Sequence, residues 1–107
     1  MFKLKPNPTF KYDVTIVRPD EEGDGVIEFV FKHKGRKALK AFFDSLGTGD
    51  TARPDAEALL DLVADWGKTD GKFSPEALEQ LLDDYPTAAK AIFEGYNKGL
   101  FEGKEKN

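Results

Sequence analysis

The chain has 107 residues, of which 39% are hydrophobic and 34% charged, with nine Phe, three Tyr, one Trp and no Cys. That length suits one domain with one modest core. The large apolar groups argue against intrinsic disorder, and the lack of cysteine excludes disulfides, a thiol nucleophile, a zinc–thiolate site and an iron–sulfur cluster. The net charge of −4 is uneven: residues 1–53 carry ten Lys/Arg against eight Asp/Glu, and residues 54–107 six against twelve. The acidic half repels nucleic acid and favours solubility.

Residues 1–9 form a charged, proline-broken, extended segment. Phe10 to Val17 alternates, with Phe10, Tyr12, Val14 and Ile16 on one face and Lys11, Asp13 and Thr15 on the other, which predicts a half-buried strand. RPDEEGDG is flexible, acidic turn material. Val26 to Lys34 predicts a second strand that turns Ile27, Phe29 and Phe31 to the core, so the two strands make an antiparallel hairpin.

Arg36 to Leu46 predicts a helix with Leu39, Phe42, Phe43 and Leu46 on its apolar side, ended by Gly47. GTGDTARP reads as a linker. A second helix is predicted from Pro54 to Trp66, striped by Ala56, Leu59, Leu60, Val63 and Trp66. Arg53 is a poor cap for it, which leaves Thr51 or a frayed start. The third helix is announced by Ser74 as N-cap, Pro75 at its first position, and Glu76 and Glu79 near its positive end, with Leu78, Leu81 and Leu82 inward. Tyr85-Pro86 separates it from a fourth helix bearing Ala89, Ile92, Phe93, Tyr96 and Leu100. Residues 101–107 are a polar, flexible tail. The fold class is α+β: an N-terminal antiparallel β-hairpin followed by about four short helices, in one domain over 1–107.

The stretch DWGKTDGKFSPEALEQLL, residues 65–82, resembles half of a calcium-binding EF-hand. That loop needs Gly at its sixth position and a bidentate Glu at its twelfth. With Gly71 at the sixth position, Trp66, Lys68 and Ala77 fall where oxygen ligands belong. Starting from Asp65 puts Glu76 at the twelfth position but Asp70 at the sixth and Gly67 at the third. Both registers fail, and no metal is expected. Asp70-Gly71 reads instead as a turn into a capped helix, with Trp66 anchoring the end of the helix before it.

Catalytic sets are equally thin. His33 stands between Lys32 and Lys34 in a strand, and of the two serines Ser74 is taken as a cap. The carboxylate pairs Asp61/Asp65 and Asp83/Asp84 sit among many acids on helix faces. GTGDT lacks the lysine and the preceding strand of a phosphate cradle. The basic cluster from Lys32 to Lys40 suits a phosphate or an acidic partner surface, but has no aromatic interleave on its face. The residues alone describe a binding module without catalytic machinery and without cofactors.

FKLKPNPTFKYDVTI, VIEFVFKHKGRKALKAFF, LLDLVADWG and above all LLDDYPTAAKAIFEGYNKGL, in that order, resemble small tail assembly chaperones of tailed bacteriophages and their prophages. The resemblance runs from Phe2 to Leu100, and its most specific part spans Tyr85 to Tyr96. It implies a non-enzymatic protein that binds the hydrophobic, helical tape measure protein, keeps it soluble and helps recruit tail tube subunits. It further implies work in the cytoplasm of the bacterial host and absence from the finished virion. Neither membrane nor nucleic acid is expected as a partner. The family often makes a longer product by ribosomal frameshifting, and the terminal Glu105-Lys106-Asn107 is compatible with a slippery codon run. Tyr96, Leu100 and Phe101 are the candidate partner-binding residues, as apolar groups at the join to such a longer form. The alternative is a small prophage-encoded ligand- or nucleic-acid-binding accessory domain.

Overall fold

A computed structural model describes residues 1–21 and 23–103. The elements run β1 (Thr9–Ile16), β2 (Gly25–Lys32), α1 (Arg36–Ser45), a 3-10 turn (Gly49–Thr51), α2 (Asp55–Leu60), β3 (Val63–Gly67), α3 (Pro75–Asp84) and α4 (Ala88–Glu102). The α+β class and the N-terminal hairpin are as expected. β1 and β2 pair antiparallel, with Tyr12 opposite Phe29 and Val14 opposite Ile27. The period-two alternation puts Val14, Ile16, Phe29 and Phe31 in the core, while Lys11, Asp13 and Thr15 remain exposed.

The predicted second helix is corrected. Only Asp55–Leu60 is helical, and Val63–Gly67 is a third strand on the far side of β2, giving the sheet order β1-β2-β3. Spacing explains the misreading. Val63 and Trp66 are three residues apart and both apolar, which suits one face of a helix. A regular strand would turn them to opposite faces. Here Val63 pairs with Phe31 and Asp65 with Val30, so Ala64 is an extra residue in a bulge. The bulge lets Val63 and Trp66 both face inward, against β2.

Trp66 is therefore no helix anchor. It stands edge-on to Phe29 at 6.1 Å and to Phe73 at 5.1 Å. Its Nε1 donates to the carbonyl of Gly71 at 2.8 Å, which pins the turn after β3. Lys68 in that turn takes φ +61°, unusual for a residue with a side chain. The stretch 65–82 is thus a strand-to-helix connection.

Arg53 contributes across the linker rather than by capping. Its guanidinium donates to Ser45 Oγ at 2.8 Å, Asp61 Oδ2 at 2.9 Å and Glu57 Oε1 at 3.1 Å. The hydrogen bond to Asp61 raises its pKa further. Ser74 caps α3 as predicted, its Oγ accepting from Ala77 N at 3.0 Å, and Pro75 opens the helix. In α1, Leu39 and Phe42 are buried but Phe43, predicted on the same stripe, is exposed.

The longest helix, α4, packs against β1, and two glycines bring it close. A Cβ on Gly95 would lie 2.6 Å from Val14 Cγ2, and one on Gly99 would lie 2.7 Å from Phe10 Cε2. Leu59, Leu62, Leu78, Ile92 and Tyr96 complete the core. Each such side chain contributes about 1.5–3 kcal/mol on burial. α4 continues through Phe101 to Glu102, and residues 104–107 of the expected tail lie outside the described residues.

Candidate partner-binding surface

The three residues singled out on α4 have different environments. Tyr96 is 2% exposed and belongs to the core. Its ring meets Phe31 edge-on at 5.2 Å and Phe10 at 5.7 Å. Its hydroxyl donates to the carbonyl of Lys32 at 2.8 Å, and burial pushes its pKa from 10.0 up to about 12. Leu100 is half-buried against the core cluster, and Phe101 is 69% exposed. Of the three, only Phe101 presents an open apolar face. Phe10 touches the position of Gly99, so the N-terminal segment and the end of α4 leave the fold on the same side.

A second apolar surface comes from residues far apart in the sequence. Ile16 and Ile27 from the hairpin, Trp66 from β3, Leu81 from α3 and Tyr85 just after it line an open cleft of ≈ 430 Å³. The charged residues Arg18, Lys68 and Asp84 are also among its lining. β1 and β2 are drawn together by their ladder and α3 by Leu78, so the gap between sheet and α3 is a product of packing. A cleft lined by apolar groups with a few charged ones can take apolar side chains from a partner and orient it by the charges. Nothing in the sequence pattern joins these five positions, which is why they were missed there.

The charged groups near the cleft are engaged structurally. Asp13 and Glu28 face each other across the hairpin. Lys68 Nζ lies 2.9 Å from Asp13 Oδ2 and 3.9 Å from Glu28 Oε2, which offsets the like-charge pair. The hydrogen bond to Asp13 raises the Lys68 pKa. Asp65 Oδ1 accepts the N–H of Trp66 at 2.8 Å. Among the described residues no group of three or more His, Cys, Asp or Glu side chains could hold a metal ion. In the basic cluster, Lys32 Nζ donates to Leu60 O at 3.2 Å and Lys40 pairs with Asp44 at 2.9 Å. No helix among the described residues is long and apolar enough to cross a membrane.

A family model described as phage tail assembly chaperone matches residues 1–107. No curated protein and no solved structure matches the chain.

Proposed function

The chain belongs to the phage tail assembly chaperone family, and we propose that it acts by binding the tape measure protein, keeping that hydrophobic chain soluble while tail tube subunits are recruited. The observation that carries this reading is the apolar cleft between the hairpin and α3, set in a chain of net charge −4. The cleft supplies area for apolar side chains, and the surrounding charge keeps a complex dissolved. Phe101 adds a separate exposed apolar side chain at the end of α4. Tyr96 serves by holding α4 in place, since its own ring is inside the core.

The role is non-enzymatic and uses no cofactor. It is carried out in the host cytoplasm, and the protein leaves before the virion is complete. Tail tube recruitment by a frameshifted longer form belongs to the same reading, and the codons at the 3′ end of the gene test it. Co-expression with the tape measure protein of the same phage tests the central step: the soluble yield of that protein rises and the two co-purify. Unchanged solubility with no co-purification contradicts it.

A further inference from the structure

We propose that two copies of this chain associate by exchanging their N-terminal segments, residues 2–8, along the outer edges of their β1 strands. Among the described residues no strand pairs with that edge, because β1 is the first strand of the sheet order β1-β2-β3. The carbonyl of Pro8 accepts from His33 N at 2.9 Å, so even-numbered residues of β1 point their backbone groups at β2. The odd-numbered ones, Lys11, Asp13 and Thr15, point theirs outward. Along this edge, Lys11–Thr15 and the overhanging Ala91, Glu94 and Lys98 of α4 bound a groove of ≈ 660 Å³.

The occupant follows from the N-terminal segment itself. Phe2 and Leu4 are 87% and 93% exposed and alternate with Lys3 and Lys5. Set antiparallel with Lys5 opposite Asp13, the segment brings Leu4 beside Val14 and Phe2 beside Ile16, apolar against apolar. Lys5 then faces the Asp13/Glu28 pair, which Lys68 serves within one copy. Pro6 and Pro8 fall at even positions, where the missing N–H would point away from the partner strand. The same register pairs Thr9 with Thr9, so both segments exchange at once about a two-fold axis. The bend at Leu4–Lys5 and the Lys3–Asn7 hydrogen bond of 2.7 Å are given up as the segment straightens.

Two other occupants fail on geometry. The chain's own segment cannot make these pairs. Pro8 is already held in line by His33, so a fold-back must turn within Pro6–Asn7, which sets Lys5 opposite Pro8, Leu4 beside Thr9 and Phe2 beside Lys11, on the exposed face of β1. A second β1 in full overlap brings its own α4. Neighbouring strands lie about 4.8 Å apart, whereas packed helices need about 8–10 Å.

Sedimentation equilibrium of the purified protein alone tests the proposal, independently of any tape measure partner. The expected result is a concentration-dependent dimer. Lys5→Pro, which removes an N–H aimed at the partner at an exposed position before β1, raises the dissociation constant at least about tenfold without changing the circular dichroism spectrum. Asp13→Lys weakens the dimer, and adding Lys5→Asp to it restores association. A chain that stays monomeric to about 1 mM overturns the proposal. So does a dimer that Lys5→Pro leaves intact, or a double variant that associates no better than Asp13→Lys alone.

Discussion

Tyr96 donates its hydroxyl to the main-chain carbonyl of Lys32 at 2.8 Å, fastening α4 to the last residue of the central strand. The bond is part-buried and neutral, so Tyr96→Phe lowers stability by about 1 kcal/mol in urea unfolding while the rings of Phe10 and Phe31 keep their packing partner.

The same residue gives a pH signature. An unfolded tyrosine loses its proton near pH 10, whereas burial holds the Tyr96 proton until about pH 12. Over that window the unfolded state binds fewer protons than the folded one, so stability falls as pH rises. The contribution is intact below about pH 10 and gone above about pH 12. Urea midpoints measured from pH 8 to 11.5 drop more steeply for the native chain than for Tyr96→Phe.

Gly95→Ala tests the close approach of α4 to β1. A helical alanine gains about 1 kcal/mol over glycine, but the added Cβ meets Val14 Cγ2 at 2.6 Å in a packed core. The net loss is about 1–2 kcal/mol. Val14→Ala in the same chain removes the opposing methyl groups, so the double variant is more stable than the sum of the two single changes predicts. Additive losses in thermal or urea unfolding sink this account of the contact.

Ser74→Ala removes the side-chain acceptor that caps α3 and costs about 1 kcal/mol. Ser74→Asp retains the acceptor and stays within about 0.5 kcal/mol of the native chain, as read from urea midpoints.

Calcium titrated into the protein at low salt gives no binding heat at micromolar levels. Trp66 and Lys68 occupy ligand positions of one loop register, and Asp65 is bonded to the Trp66 N–H. A saturable heat would reopen residues 65–82 as a metal loop.

Local signals carried much of the fold. Alternation set the faces of β1 and β2, Ser74-Pro75 set the start of α3, and Tyr85-Pro86 set the break before α4, because each depends on neighbouring residues only. β3 was hidden because a bulge at Ala64 gives a strand the three-residue spacing of a helix, and only the partner β2 decides between them. Phe43 was misplaced for a related reason: α1 is short, and its buried face takes Leu39 and Phe42 but not the next residue round. At the candidate surface Tyr96, Leu100 and Phe101 look alike in the sequence, because an apolar stripe does not say which of its residues the sheet covers, and the cleft could not be read, since its walls come from four elements that meet only in three dimensions.

The measurement that bears most directly on the central claim is co-purification of the tape measure protein with the native chain and with Leu81→Lys. Leu81 is half-buried at the cleft, where a lysine can reach solvent, so folding is retained and is checked by circular dichroism. Trp66, the one tryptophan, lines the same cleft and reports its occupancy by fluorescence. The native chain is expected to retain the tape measure protein in the soluble complex with a change in Trp66 emission, and Leu81→Lys is expected to lose at least about tenfold in affinity. A folded Leu81→Lys that binds as well as the native chain, or a native chain that binds no tape measure protein, contradicts the account.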